Sequence, residues 1–139
     1  MHDKPHWISS EQPFGFQKTV GFELVEWREG YAVLELEVET KHLNRSGVLH
    51  GGVLTTMLDS VMGFAGLYSP DPNRIRKAVT LSMSTSFTGQ VRAGRIRAVG
   101  QLRTSGRRIF NCTGEVLDAE GNVLGMAQGT FRLRSDSVD

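Results

Sequence analysis

Residues 31–39 alternate apolar and acidic side chains, with Leu34, Leu36 and Val38 set against Glu35, Glu37 and Glu39. A period of two marks a strand with one buried face. Residues 21–27 read as its partner, with Arg28, Glu29 and Gly30 as the turn. After a polar break at 40–49 the period changes. Across residues 50–68, Val53, Leu54, Met57, Leu58, Val61, Met62, Phe64, Ala65 and Leu67 fall on nearly every side of a helical wheel. A helix apolar all round is expected to be buried. Ser69, Pro70, Asp71, Pro72 and Asn73 end it. Further strands follow at 76–87, 95–103, 108–117 and 123–134, the last two joined as an antiparallel hairpin through 118–122. The order β-β-α-β-β-β-β predicts an α+β fold, one long antiparallel sheet wrapped around a central buried helix. Residues 1–20 read as an irregular N-terminal segment with a short helical turn. Residues 21–135 read as a single domain, with no repeat or linker.

Composition adds limits. A chain of 139 residues, 39% hydrophobic and 22% charged, suits one folded domain with one core. No apolar run reaches the roughly 18 residues of a membrane span, and the N-terminus lacks a secretory signal's apolar stretch. Cys112 is the only cysteine, so no intrachain disulfide forms. A soluble cytoplasmic protein is the expectation.

The net charge of +1 conceals an asymmetry. Between Glu11 and Glu39 there are seven carboxylates against Lys18 and Arg28. Between Arg74 and Gly114 there are nine basic side chains and no acid. Such a block suits an anionic ligand, either nucleic acid or a phosphorylated molecule. It equally suits a solvated face balanced by the acidic half.

The chemistry concentrates between His42 and Asp59. Gly51 and Gly52 at a helix start let another group approach the backbone. First-turn N–H groups there lack helical partners and sit at the positive end of the dipole, a place for a developing oxyanion. The competing reading is tight packing of the helix entry. Asp59 stands among apolar neighbours, where burial would make it a poised base or nucleophile. It could instead reach a sheet rim or bond a neighbouring backbone. Gly51 and Asp59 are eight residues apart, about 12 Å along one helix. They cannot share one carbonyl within a chain. If both act, the site joins two symmetry-related helices in an obligate homodimer. His50 could act as a base or could orient the loop, and the supporting role is preferred. His42 and His50 are not spaced as helical zinc ligands, so neither metal nor cofactor is expected. A Gly-x-Ser-x-Gly elbow is absent, which removes the serine nucleophile.

His42, Asn44, His50, Gly51, Gly52 and Asp59 together resemble the signature of the hotdog-fold thioesterases. The likeness is to the phenylacetate-pathway (PaaI-type) and 4-hydroxybenzoyl-CoA thioesterase-like branch. The segments 78–81, 87–89, 106–107 and 127–131 are similar too, so the resemblance spans roughly residues 20–134. It implies an acyl-CoA thioesterase of the hotdog fold, a homodimer or a tetramer built from two dimers. Asp59 would be general base or nucleophile, and the Gly51 N–H would polarise the carbonyl. Asn44 and His50 would position carbonyl and water, with the Thr80 hydroxyl assisting near Asp59. By the same resemblance, Gly52, Phe87, Thr88, Gly89, Gln90 and Arg92, with Gly106, Arg107 and Arg108, would hold coenzyme A. One departure is Ser82, where related sequences often carry an acidic or amide residue.

Two other functions compete. A hotdog dehydratase or hydratase would pair a His with a carboxylate, whereas Asp59 with His-Gly-Gly favours hydrolysis. A non-catalytic acyl-CoA binding module would have little use for a carboxylate facing a carbonyl. Nucleic acid is disfavoured because Phe110 is the only aromatic between Phe87 and Phe131. No membrane partner is expected.

Overall fold

The computed structural model describes residues 13–71 and 73–137. Six strands form one antiparallel sheet: β1 (Glu23–Arg28), β2 (Tyr31–Val38), β3 (Ala78–Phe87), β4 (Gly94–Ser105), β5 (Ile109–Leu117) and β6 (Val123–Leu133). The spatial order is β1-β2-β4-β5-β6-β3, so β1 and β3 are the two edges. The short turn expected near the N-terminus is α1 (Gly15–Val20), and α2 (Gly51–Gly66) is the long helix. The rest of the expected N-terminal segment, residues 1–12, lies outside the described residues.

Alternation assigns the faces. Ala32, Leu34 and Leu36 of β2, Ile96 and Ala98 of β4, and Phe110, Cys112 and Val116 of β5 are buried in the core cluster with α2. Register shifts at Leu24/Glu26, Thr80/Ser82, Leu102/Thr104 and Val116/Leu117 interrupt the ladders, where a bulge bends and twists its strand. Two glycines set the distance of approach. A Cβ at Gly100 would lie 2.5 Å from the Val61 carbonyl oxygen, and one at Gly66 would lie 2.1 Å from the Phe110 ring. Trp27 Nε1 donates to the Phe64 carbonyl at 2.8 Å, tying β1 to the helix's far half.

The expectation of a helix buried on every side is corrected. Leu54, Met57, Leu58, Val61, Met62 and Ala65 are covered by the sheet. Each large side chain among them contributes about 1.5–3 kcal/mol by leaving water. The opposite stripe, Thr55, Thr56, Asp59, Ser60 and Gly63, is only half-buried, and Gly52 at its start is exposed. Among the described residues, the six-stranded sheet wraps one face of α2 and no second layer covers the other.

Among the described residues, the charge asymmetry resolves partly within the chain. Arg95 bonds Glu35 at 2.8 Å and Glu23 at 3.4 Å, and Arg97 bonds Glu26 at 3.3 Å. The Glu35 hydrogen bond, then that of Glu23, raises the Arg95 pKa above its ordinary value. Glu26 also pairs with Arg28. No helix of the described residues is long and apolar enough to cross a membrane.

Candidate active site

The N-terminus of α2 is assembled by an imidazole. His50 is the N-cap, and its Nδ1 accepts the Gly52 N–H at 2.7 Å. A Cβ at Gly52 would stand 2.8 Å from that nitrogen, so the ring can lie there only over glycine. The His50 carbonyl takes the N–H groups of Val53 and Leu54. Among the first-turn donors only the Gly51 N–H is left without an acceptor among the described residues. The Phe87 ring lies 3.4 Å from where a Gly51 Cβ would be, forming one wall beside it. The Thr55 and Thr56 hydroxyls donate to the Gly51 and Gly52 carbonyls at 2.9 and 2.8 Å.

The loop entering this helix is fastened at both ends. His42 is buried, its Nδ1 accepting the Glu39 N–H at 2.9 Å while Nε2 lies 2.6 Å from the Val20 carbonyl. Those partners place the ring proton on Nε2. Asn44 Oδ1 accepts the N–H groups of Ser46 at 2.9 Å and Val48 at 3.2 Å. Its Nδ2 is left as a donor without a partner among the described residues. Arg92 Nη1 donates to the carbonyls of Ser46 at 3.4 Å and Gly47 at 3.2 Å.

Asp59 sits two helical turns further on. It is half-buried, not enclosed, and reaches the rim at β3, where Thr80 Oγ1 donates to its Oδ1 at 2.7 Å. The rim reading of this carboxylate is the observed one, and it leaves Oδ2 without a partner among the described residues. Ser82, the departure from the family pattern, pairs with Thr130 on the sheet face away from α2. It does not touch Asp59.

The residues expected to hold coenzyme A fall into two groups. Phe87, Thr88, Gly89, Gln90 and Arg92 lie with Gly52 at the end of the sheet that holds the α2 N-terminus. Thr88 and Gly89 are pinned there by the Leu124 carbonyl. Gly106, Arg107 and Arg108 form the β4–β5 turn at the opposite end, with β4's 12 residues between, roughly 35–40 Å. The Arg107 and Arg108 side chains have no hydrogen bond or ion pair among the described residues, although the Arg108 carbonyl accepts the Leu133 N–H at 2.8 Å. The two groups cannot grip one ligand from a single chain. Sequence reasoning passed over the paired hydroxyls of Thr55 and Thr56 and the contact of Arg92 with the 46–47 carbonyls. The second joins residues 45 or more apart and left no local signal.

Set beside known proteins, the chain matches the model of the thioesterase superfamily over residues 46–124. The chain belongs to that superfamily. It is a thioester hydrolase of the hotdog fold, and the PaaI-type branch fits. It is 30% identical over 87 residues to the 1,4-dihydroxy-2-naphthoyl-CoA hydrolase of Listeria monocytogenes, covering 63% of this chain and 69% of that protein. A conserved Pseudomonas aeruginosa protein superposes with a TM-score of 0.80 at 30% identity, over 87% of this chain and 94% of that one. A variant of the phenylacetic acid degradation protein PaaI from Thermus thermophilus gives 0.73 at 28% identity, over 84% and 96%.

Proposed function

We propose that this thioesterase hydrolyses acyl-CoA at two equivalent sites, each shared between two copies of the chain. The observation that carries the reading is the separation of its two halves. The free Gly51 N–H lies beside Phe87, and Asp59 is tied to Thr80. Phe87 closes β3 and Thr80 lies near its start. β3 is an edge strand, and Val79, Leu81 and Phe87 on it are 41%, 53% and 57% exposed. An edge that apolar seeks a partner strand. Antiparallel pairing of two β3 strands about a dyad at Ser84 would set Phe87 of one copy opposite the Thr80/Ser82 register shift of the other, within one residue of Thr80. The same rotation brings the Arg107–Arg108 end of one copy toward the Arg92 end of its mate. That supports one coenzyme A being held by two chains.

In such a site the Gly51 N–H receives the thioester carbonyl oxygen, where negative charge develops. Asp59 Oδ2 takes a proton from water as the water oxygen bonds to the carbonyl carbon. The tetrahedral intermediate collapses, the C–S bond breaks, and the thiolate of coenzyme A leaves with the free acid as the other product. The Thr80 hydroxyl fixes the carboxylate's orientation, and Asn44 Nδ2 and the His50 ring hold water and carbonyl. Free Arg107 and Arg108 suit the phosphates of the nucleotide.

The test uses two inactive proteins. Asp59→Asn lowers kcat by roughly 10²–10⁴-fold by removing the base. Gly51→Pro removes the N–H. Refolded together, they form heterodimers in which one site carries both lesions and the other neither. Activity returns to about a quarter of wild type if pairing is random. Heterodimers that stay inactive sink the shared-site reading.

A further inference from the structure

We propose that Arg92 is a positioning residue for hydrolysis, fixing the turn that carries Asn44, rather than a ligand of the coenzyme A phosphates. The proposal rests on the acyl-CoA hydrolase reading above. The turn at 44–48 is closed by the Gly47 N–H on the Asn44 carbonyl at 2.9 Å and the Asn44 N–H on the Val48 carbonyl at 2.7 Å. Asn44 Oδ1 collects two more amides inside it. Folded so tightly, with Gly47 at φ 78°, the turn has the carbonyls of Ser46 and Gly47 left over. Arg92 Nη1 meets both.

The fit is close. A Cβ at Gly47 would lie 3.1 Å from Nη1, so the guanidinium rests directly on the glycine. Next door, the Leu49 N–H donates to the Val91 carbonyl at 2.8 Å, and the His50 N–H to the His42 carbonyl at 2.8 Å. Residues 91–92 therefore hold the loop from its turn to Leu49, the residue before the one that caps α2. A phosphate bound at the same nitrogen would compete with two carbonyl oxygens already in place. The influence of Arg92 on the reaction runs through two groups it does not touch. One is the Asn44 amide, whose Oδ1 is locked so that only Nδ2 is offered. The other is the Gly51 N–H, whose direction depends on His50.

The test compares wild type, Arg92→Ala and Arg92→Lys on an acyl-CoA and on the same acyl group carried by N-acetylcysteamine, which has no phosphate. For a positioning role, Arg92→Ala lowers kcat by roughly tenfold on both substrates, and the ratio of their kcat/KM values stays at the wild-type figure. Arg92→Lys recovers part of the loss, because an ammonium can still donate to the same carbonyls. A rise in KM confined to the acyl-CoA, with the truncated substrate unaffected, overturns the proposal. A second measurement needs no turnover. Amide exchange at Gly47, Val48 and Leu49 accelerates about tenfold or more in Arg92→Ala while the amides of β4 and β5 keep their protection. Unchanged exchange at those three positions overturns the proposal whatever the enzyme hydrolyses. Wild type inactive on both substrates, with exchange accelerated in the variant, sinks the hydrolase reading and leaves the clamp standing.

Discussion

The Thr80 hydroxyl donates to Asp59 Oδ1 at 2.7 Å, and this bond crosses from the edge strand to the middle of α2. It commits one carboxylate oxygen, and the other is the one the proposed hydrolysis would use for proton transfer. Thr80→Val keeps the β-branched shape and removes the donor. We expect kcat to fall roughly tenfold with KM nearly unchanged. A variant with full kcat shows that the carboxylate orients itself.

The same geometry separates two chemical routes. As a general base, Asp59 never bonds to the acyl carbon. A single turnover in ¹⁸O-labelled water should then leave the Asp59 carboxyl unlabelled and place the isotope in the released acid. Label in Asp59 would mean that the carboxylate attacks directly, through an anhydride that water cleaves.

His50 caps α2 with a ring nitrogen, an unusual choice where Ser, Thr, Asp and Asn prevail. His50→Asn retains a side-chain acceptor for the Gly52 N–H, whereas His50→Ala does not. The Ala variant should lose about 1 kcal/mol of stability, and Asn should restore most of it. If Asn restores stability without activity, the ring itself meets the substrate. Equal loss of stability in both variants means that the Nδ1 contact does not hold the helix start.

Cys112 lies under α2, its Sγ 3.2 Å from the Met62 carbonyl, and burial pushes its thiol pKa up to about 12. An unfolded thiol ionises near 8.5. The raised folded value means that stability is intact below about 8.5 and falls as pH rises from there toward 12. At pH 8 a thiol reagent should react only as fast as the protein opens. Rapid labelling of the folded chain contradicts the burial.

Asp118 accepts N–H groups from Asn122 and Glu120 in the β5–β6 turn. The Asn122 backbone bond, foremost, holds its carboxyl below the usual range. That stabilisation is present above the ordinary aspartate pKa of about 3.9 and disappears as pH falls through the lowered folded value. Asp118→Ala should melt earlier than wild type at pH 7, with the gap narrowing in strong acid. A gap independent of pH would assign the effect to something other than the charge.

The strands and α2 were legible because their side chains keep a strict period. Predicted limits of 50–68 for the helix became Gly51–Gly66, shortened where the His50 cap and Gly66 end it. The position of β3 was not legible. Alternation tells which face is buried, but not that β3 crosses to pair with β6 and so leaves an edge beside Asp59. The His-Gly-Gly start and Asp59 stood out as residues with local reasons to be odd. Arg92 did not, because the carbonyls it meets lie 45 and 46 residues away and carry no side-chain signature. The sequence left Asp59 between a buried carboxylate and one reaching a sheet rim, because its neighbours along the chain are apolar. A helix turns Met57 and Leu58 inward and Asp59 toward the rim, so adjacency along the chain could not decide its burial.

Gly100 and Gly66 let α2 lie so near the sheet that a methyl group at either place would strike Val61 or Phe110. Contacts that close act as notches. The helix cannot slide or roll over the strands without lifting off them, so the interval from the Gly51 amide to the Asp59 carboxylate is a fixed length. On the proposed reading, a bulky acyl group is not accommodated by moving this rail, and selection among acyl groups should fall to the half-buried stripe of α2 that carries Thr56, Ser60 and Gly63.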